Sequence, residues 1–285
     1  MRVLVFGRSG QVARELLRRA PAGVEIECLG RAEADLSQDG RGAEALAARD
    51  PDVVVNAAAW TAVDAAEAEA AAAHRLNALA PEELARACAS RGLPFLHVST
   101  DYVFDGSGEA ARAPDAPTAP RSVYGRTKLE GERRVLAAAP ESVVLRTSWV
   151  FSAHGANFVK TMLRLGAERE ELSIVADQVG GPTPAAAIAD ALLAMAGARA
   201  AGEGAAGVHH FSGAPDVSWA DFAEAIFARS GLPVRVRRIA TADYPTAAER
   251  PLNSRLDCST MRAAFGIERP DWRDGLDAVL AELNA

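Results

Sequence analysis

The sequence predicts an α/β fold, with a doubly wound parallel sheet and a smaller, mostly helical substrate-binding lobe. Continuous apolar runs such as Val3–Phe6 are typical of parallel strands buried on both faces. Such runs alternate with helical stretches through about the first half of the chain, which favours strand–helix–strand units. The first strand also leads directly into a glycine-containing turn, where such sheets bind their ligands.

Composition and charge argue against several classes of protein. The 285 residues are 49% hydrophobic and 24% charged, as in an ordinary globular protein of one large or two modest domains. A net charge of -7 without a basic block argues against nucleic-acid binding. No stretch approaches the roughly 18 apolar residues of a membrane span. Three widely spaced cysteines match no disulfide or metal pattern, so we expect a cytoplasmic protein with free thiols. We also expect a monomer or a homodimer.

The first turn suits a pyrophosphate. Gly7 and Gly10 follow the strand Val3–Phe6 at once, and Gln11 and Val12 begin a helical stretch. Glycine allows the tight turn and a close backbone approach, and the helix N-terminus presents free N–H groups. The alternative is a purely structural turn between strand and helix. Its place after the first strand favours dinucleotide binding.

The end of the second predicted strand, Val24–Leu29, bears on the choice of cofactor. An acid at this place would bind the ribose of NADH, whereas an arginine suits the 2′-phosphate of NADPH. Arg31 follows without a preceding acid, which favours NADPH, although Arg31 could also be an ordinary surface residue. Asp35 and Leu36 then lie where an adenine could be contacted.

The third and fourth predicted strands, Asp52–Asn56 and Pro94–Ser99, bring small and polar residues to the same sheet edge. Ala57–Ala59 would let a ligand approach the backbone. Thr100 would donate from its hydroxyl to a substrate oxygen, because strand carboxyl ends line the ligand crevice. Asp101 is either a substrate contact or a turn cap.

Tyr124 and Lys128 are the strongest candidates for chemistry. They lie one turn apart on a predicted helix over Ser122–Ala139, on the same face. A nearby ammonium should lower the pKa of a phenol, which would suit the pair to general acid–base work. With three tyrosines and two lysines in the chain, this spacing arises by chance only about once in fifty. The alternative is two residues on a solvated helix face.

The rest of the chain completes the sheet and forms the lobe. Further strands are predicted at Val143–Arg146, Leu172–Val175 and Val208–Phe211. Adjacent His209 and His210 would face opposite ways and cannot easily chelate one ion, so we interpret them as structural. The predicted dinucleotide-binding domain comprises residues 1–148 and parts of 172–212. Residues 149–171 and 213–285 form the predicted substrate-binding lobe.

Near the C-terminus two arginines flank an asparagine. Arg250, Asn253 and Arg255 could hold a diphosphate through bidentate hydrogen bonds. The alternative is ordinary surface charge.

Taken together, these motifs resemble the extended short-chain dehydrogenase/reductases, and within them the dTDP-4-dehydrorhamnose reductase family. The resemblance runs nearly end to end. It rests on Gly7–Val12, Asn56–Ala59, Thr61–Asp64, Ser99–Gly106, Tyr124–Glu132, Arg146–Val150, Asp177–Thr183 and Arg250–Asp257. The stretches Ser99–Gly106 and Tyr124–Glu132 are fairly specific to this family, whereas the glycine motif is not.

The resemblance implies a Rossmann-type sheet and assigns roles. Tyr124, Lys128 and Thr100 would form the catalytic set, and Thr100, Asp101 and Trp149 would touch the sugar nucleotide. The implied cofactor contacts are Gly10, Gln11, Val12, Asp35, Leu36, Ala59, Trp60, Thr61, Tyr124 and Lys128. Trp60 stands where the family leads us to expect histidine. Some relatives bind Mg²⁺ at a dimer contact, but no metal ligands can be assigned here.

The implied reaction is the NADPH- or NADH-dependent reduction of the C4 ketone of dTDP-4-dehydro-6-deoxy-L-mannose. Its product, dTDP-L-rhamnose, would serve cell-surface polysaccharide. One alternative is another nucleotide-sugar reductase or epimerase on the same scaffold. A second is a non-catalytic, NADP-binding regulatory subunit, against which the intact set of Thr100, Tyr124 and Lys128 argues.

Overall fold

A computed structural model describes residues 1–284. Its strands account for every predicted strand and add several short ones. They are β1 (Arg2–Phe6), β2 (Glu25–Leu29), β3 (Val53–Asn56), β4 (Phe95–Thr100), β5 (Val143–Thr147), β6 (Val150–Phe151), β7 (Glu171–Val175), β8 (Val179–Gly180), β9 (Thr183–Pro184), β10 (Gly207–His210), β11 (Val217–Ser218), β12 (Arg235–Ile239) and β13 (Asn253–Ser254).

The helices alternate with these strands. They are α1 (Gln11–Arg19), α2 (Arg41–Ala47), α3 (Val63–Ala68), α4 (Ala70–His74), α5 (Ala80–Ala89), α6 (Val123–Ala138), α7 (Phe158–Glu168), α8 (Ala185–Ala200), α9 (Trp219–Ser230), α10 (Ser259–Phe265) and α11 (Trp272–Leu283). A π-helical segment, Arg75–Leu79, joins α4 to α5, and 3-10 turns span Asp101–Val103 and Thr241–Asp243. None of the helices described is long and apolar enough to cross a membrane.

Six parallel strands form the central sheet, in the order β10-β5-β4-β3-β1-β2. The chain runs from β1 outward to β2 and then crosses to β3 on the other side of β1. Ligands of doubly wound sheets bind at the carboxyl edge near such a reversal of strand order. The predicted fold class is therefore confirmed, and the reversal marks the crevice beside the turn after β1.

Both faces of the sheet are covered by helices. Val3 and Val5 of β1 pack with Leu16 of α1 and Leu192 of α8. Alternate residues of the same strand belong to a second core, where α5 and α6 cover the opposite face. Burial on both faces explains why β1 is an uninterrupted apolar run.

The second lobe has its own core and its own small sheets. Phe151, Phe222 and Trp272 lie at its centre, between α7, α9 and α11. Strand β7 pairs in parallel with β12 in this lobe. The prediction that Leu172–Val175 is a further strand of the central sheet is therefore wrong, and β10 takes that place. A short apolar run shows that a strand exists but not which sheet it joins. The division of the chain into two domains stays a prediction.

Helix α6 packs unusually close to its neighbours because of two glycines. Ser122 caps the helix by accepting a hydrogen bond from the backbone N–H of Gly125. A Cβ on Gly125 would lie 2.2 Å from the carbonyl oxygen of Tyr102, and one on Gly131 would lie 1.9 Å from that of Asn77. Only glycine permits these approaches, which hold α6 against the turn after β4 and against the π-helical segment Arg75–Leu79.

Candidate active site

A cavity of about 770 Å³, called the central cavity here, opens at the carboxyl edge of the central sheet. Both the sheet and the second lobe contribute to its wall. The residues that line it are Ser9, Gly10, Gln11, Val12, Ala57, Ala58, Ala59, Thr61, Val63, Val98, Ser99, Thr100, Asp101, Tyr102, Tyr124, Lys128, Thr147, Ser148, Trp149, Val150, Gly155, Ala156, Phe158 and Trp219. The structure thus brings together the three side chains predicted to do chemistry.

Thr100 and Tyr124 face each other across the end of β4. The hydroxyl of Thr100 donates to Oδ1 of Asp101 at 3.1 Å and accepts from the backbone N–H of Tyr102 at 3.2 Å. It also lies close enough to the phenol of Tyr124 to oppose the rise in the pKa of that group. The ring of Tyr102 meets that of Tyr124 edge to face at 5.4 Å. Threonine and tyrosine hydroxyls are therefore already aligned around one point of the cavity.

The expected lowering of the Tyr124 pKa is not found. Burial raises the pKa of Tyr124 to about 12; the hydroxyl of Thr100 opposes this shift and the charge of Asp101 adds to it. Lys128 is not among the causes of this shift, because its amino group points toward the sheet and donates to the carbonyl oxygen of Val98. The prediction that this lysine lowers the phenol's pKa is wrong for this arrangement, since desolvation dominates.

Lys128 is almost wholly buried beneath α6. Its Nζ donates to the carbonyl oxygen of Val98 at 2.7 Å and lies 3.2 Å from Nε2 of His97. Burial lowers the pKa of Lys128 to about 8, and the charge of Glu132 opposes the shift. A lysine held in this range can change its charge near neutral pH.

Asp101 is a second buried ionisable group on the wall. Burial raises the pKa of Asp101 to about 6, and the hydrogen bond from Thr100 opposes the rise. Asp101 is one of the residues that line the central cavity. Its part in binding a substrate stays a prediction.

The glycine turn lies between the central cavity and a smaller one of about 310 Å³, the adjoining cavity. Gly7 has a φ of 109°, which favours glycine, and a Cβ there would lie 3.1 Å from the backbone nitrogen of Ala58. Gly10 precedes α1 and has open space around it. The turn therefore offers an unobstructed helix N-terminus, as a pyrophosphate requires.

The adjoining cavity is lined by most of the predicted adenosine contacts. Arg31, Asp35 and Leu36 are all on its wall. Asp35 accepts hydrogen bonds from the backbone and hydroxyl of Ser37, which lower its pKa and commit part of its carboxylate to a local turn. The sequence-based analysis missed Arg8, which lines the same wall and pairs with Glu33 at 2.5 Å.

Ala59 and Thr61 line both cavities, whereas Trp60 lines neither. The backbone N–H of Trp60 donates to Oδ1 of Asn77, and its indole N–H donates to the carbonyl oxygen of Ala62. Its ring packs against the small cluster that includes Val123. The structure therefore does not place the Trp60 side chain on the predicted cofactor path, because local hydrogen bonds turn it away.

Trp149 stands at the lobe side of the central cavity. Its indole stacks on that of Trp219 with ring centroids 3.6 Å apart and planes 9° from parallel. Trp149 adopts a φ of 49°, which is unusual for a residue other than glycine. A Cβ on Gly180 would lie 3.0 Å from this indole, which accounts for glycine there.

The three residues of the predicted diphosphate clamp do not converge. Arg250 lines a third cavity of about 610 Å³, the outer cavity, where it pairs with Asp64 at 2.5 Å. Asn253 is buried, and its amide donates to the carbonyl oxygen of Ala110 at 2.8 Å. Arg255 donates to Oδ1 of Asn253. Asn253 and Arg255 therefore hold the loop together, and their predicted contact with a diphosphate is not supported.

The outer cavity meets the central cavity at Tyr102, Phe158 and Trp219, which line both. Its wall carries two arginines, Arg169 and Arg250, and two acids, Asp64 and Glu171. Within residues 1–284, no group of three or more His, Cys, Asp or Glu side chains is arranged to hold a metal ion. The predicted possibility of Mg²⁺ therefore gains no candidate ligands.

Comparison with known proteins identifies the family. The family described as RmlD substrate binding domain matches residues 1–285. The chain belongs to this family. A dTDP-4-dehydrorhamnose reductase of Sinorhizobium fredii is 44% identical over 280 residues, covering 96% of this chain and 95% of that protein. One of Escherichia coli K12 is 39% identical over 293 residues, covering 99% and 98%. The predicted resemblance is confirmed, and with it the oxidoreductase class.

Solved structures of family members agree over the whole chain. A dTDP-4-dehydrorhamnose reductase of Clostridium acetobutylicum superposes with a TM-score of 0.94 at 34% identity, covering all of both chains. Another, of Bacillus anthracis in complex with NADP, gives 0.93 at 31% identity, covering 99% of each. This agreement extends to the second lobe, whose small sheets the sequence alone did not predict.

Proposed function

We propose that this chain reduces the C4 ketone of dTDP-4-dehydrorhamnose to dTDP-L-rhamnose, with NADPH as the reductant. Family membership supports the reaction class. The observation that carries the proposal for this chain is the convergence of Thr100, Tyr124 and Lys128 in one cavity that continues past the glycine turn. A protein that only bound the dinucleotide would have no need of a buried phenol and amine at that place.

The dinucleotide fits the two cavities that share the turn after β1. Gly7 and Gly10 leave the N-terminus of α1 open to its pyrophosphate, and the adjoining cavity would take the adenosine half. Arg31 and Arg8 would face a 2′-phosphate, which favours NADPH. The B. anthracis relative, solved with NADP, agrees with that choice.

The chain's own residues would act on the sugar ketone. When bound, the nicotinamide supplies the hydride. Tyr124 would donate its phenolic proton to the oxygen at C4 as negative charge develops there. Thr100 would donate a hydrogen bond to the same oxygen and stabilise that charge. Lys128 would hold the nicotinamide ribose, because it lines the same cavity as Thr100 and Tyr124.

The nucleotide end of the substrate would lie in the outer cavity. Tyr102, Phe158 and Trp219 connect this space with the central cavity, so one elongated ligand can occupy both. Arg250 is the guanidinium best placed for the diphosphate, and Asp64 orients it from the other side. Trp149 would pack on the sugar once its stack with Trp219 opens.

A turnover assay tests the proposal. Purified protein is mixed with the keto sugar, made in situ by the upstream enzymes, and with NADPH or NADH in parallel. We expect cofactor oxidation that depends on the keto sugar, with dTDP-L-rhamnose as the product and NADPH preferred. Oxidation with a different nucleotide keto sugar would reassign the substrate. Cofactor binding without oxidation of any keto sugar would favour the regulatory role.

A further inference from the structure

A row of polar side chains lies on one face of the central sheet, directly beneath α6. Asn56 of β3 and His97 of β4 are in register on neighbouring strands, and both are fully buried. Their side chains meet, with Nδ2 of Asn56 3.1 Å from Nδ1 of His97. Nε2 of His97 then lies 3.2 Å from Nζ of Lys128. The row therefore leads from the sheet to the lysine of the proposed active site.

The orientation of Asn56 is set by the backbone. Its Oδ1 accepts a hydrogen bond from the N–H of Ala58 at 3.1 Å. An N–H group can only donate, so the amide must turn its oxygen toward Ala58 and its NH₂ group toward His97. Nδ1 of His97 must then accept, which leaves it without a proton.

His97 is neutral, because burial holds its pKa well below the ordinary range and the charge of Lys128 acts in the same direction. A neutral imidazole carries one proton, and with Nδ1 accepting, this proton is on Nε2. The Nε2–H therefore points at Lys128. An ammonium has no lone pair to receive it, whereas a neutral amine has one.

We propose that His97, held by Asn56 as its Nε2–H tautomer, is a positioning residue that binds Lys128 in the neutral amine form. The amine then accepts from His97 and donates to the carbonyl oxygen of Val98 at 2.7 Å, so both contacts are satisfied. Protonation of Lys128 makes the contact with His97 repulsive. The ammonium is thereby directed away from the sheet and toward the central cavity, where the ribose and the phenol of Tyr124 would receive it.

Few other charges face Lys128. Glu132 lies one turn further along α6, but Ser99 and Arg146 bind its carboxylate. Charged groups on the other elements packed against α6 have partners of their own. Glu67 accepts from the backbone of Val123, His74 pairs with Glu130, Glu82 with Arg134, Arg75 with Glu83, Arg250 with Asp64, and Asp101 accepts from Thr100. His97 is thus the group whose proton decides which form of Lys128 fits against the sheet.

Nuclear magnetic resonance of ¹⁵N-histidine-labelled protein tests the tautomer directly. Long-range proton–nitrogen spectra distinguish a protonated from an unprotonated ring nitrogen, and a His97→Gln spectrum identifies the His97 signals among the five histidines. We expect a proton on Nε2 and none on Nδ1 from about pH 6 to pH 9. A proton on Nδ1 would overturn the proposal.

An isosteric variant tests the consequence. In Asn56→Asp, a carboxylate oxygen would accept from Nδ1–H, so the proton moves to Nδ1 and the Nε2 lone pair faces Lys128. The ammonium is then stabilised against the sheet. We expect the alkaline limb of the kcat/KM profile to move up by about one pH unit, a tenfold change in the ammonium–amine equilibrium. A lower rate with an unshifted limb would indicate a structural role only and contradict the proposal.

This inference rests on the proposed function only for the meaning of the pH profile. The tautomer of His97 is measured on the protein by itself, without any substrate. If the protein turned over no keto sugar, the proposed function would fail and the tautomer result would still stand. If it turned over the keto sugar but carried the proton on Nδ1, only the present inference would fail.

Discussion

Lys128 and Glu132 lie one turn apart on α6, face the same side of the sheet and are equally buried, yet their surroundings differ. Glu132 accepts from Ser99 at 2.5 Å and from Arg146 through two hydrogen bonds of 2.7 and 2.9 Å. Lys128 has one carbonyl oxygen and one imidazole nitrogen, and it borders the central cavity.

This difference distinguishes a buried charge that stabilises the fold from one that can take part in chemistry. A buried charge whose bonding capacity is filled holds its neighbours in place, and losing its partner is costly. A buried charge with spare capacity next to a cavity can change its protonation state or bind a ligand. We expect substitutions near Lys128 to change turnover and those near Glu132 to change stability.

The largest effect is expected at Tyr124. Tyr124→Phe removes the proposed proton donor and little else, so kcat should fall by roughly 100- to 10,000-fold. The dissociation constant of NADPH should stay within about twofold, as fluorescence titration can measure.

Tyr102→Phe is the matched control, because it removes a neighbouring phenol whose ring contacts Tyr124. We expect it to lower kcat by less than tenfold. A Tyr124→Phe variant that kept more than a tenth of the wild-type kcat would contradict the assignment.

The next effect is on stability. Glu132→Gln leaves the guanidinium of Arg146 buried without a counter-charge, so the free energy of unfolding should fall by about 3 kcal/mol or more. Glu130→Gln, two positions earlier on the exposed face, breaks a surface pair with Arg134 and should cost less than about 1 kcal/mol. Urea denaturation measures both. Equal losses of unfolding free energy in the two variants would contradict the distinction between the buried Glu132 and the exposed Glu130.

Substitution of Asp101 should raise the free energy of unfolding, whereas substitution of Glu132 should lower it. The pKa of Asp101 is raised from 3.8 to about 6 in the folded chain, so its contribution is full below pH 3.8 and is lost as the pH rises through 6. Asp101→Asn does not titrate. The variant should therefore gain up to about 3 kcal/mol relative to the wild type between pH 4 and pH 7.

Thermal unfolding of the wild type and the variant across that pH range measures their difference in stability. A difference that did not change with pH would contradict a buried Asp101 with a raised pKa. We also expect the variant to turn over more slowly, because stabilising an active site often costs activity.

The smallest expected effect is on substrate binding, and it should differ between Arg250 and Arg255. Arg250→Ala should raise the KM for the sugar nucleotide by roughly tenfold and leave kcat within about twofold, since a hydrogen bond to a charged group is worth about 1.5 kcal/mol or more. Arg255→Ala should change KM by less than about twofold, because Arg255 only bonds to Asn253. Equal effects would mean that the outer cavity is not where the diphosphate binds.

The sequence predicted that Thr100, Tyr124 and Lys128 lie together at the carboxyl edge of the sheet, because their places depend on local rules. Gly7 and Thr100 each directly follow a predicted strand, which places them at the carboxyl edge of the sheet. Tyr124 and Lys128 lie one turn apart on a predicted helix, which places them on one face. The predicted diphosphate contacts of Asn253 and Arg255 are not supported, because the amide of Asn253 donates to the distant loop at Ala110 and Arg255 donates to Asn253. No spacing in the sequence reveals these partners.

Asn56 and His97 were not predicted from the sequence to belong to the site. A signal was available, since each is a polar residue within or at the end of an apolar strand, where a partner is required. What the sequence did not contain was the direction of the Lys128 side chain. Its predicted effect on the phenol assumed a neighbour on the same helix face, whereas the Nζ of Lys128 lies against the sheet.

The most direct test is to titrate Lys128 itself. Lys128 and Lys160 are the only lysines in the chain, so labelling lysine Cε with ¹³C gives two signals, and a Lys160→Arg sample identifies them. We predict that the Lys128 signal titrates with a midpoint near 8, which is what a buried amine beside His97 requires. A midpoint at or above about 10, the ordinary lysine value, would show a fully partnered ammonium and contradict the contrast with Glu132.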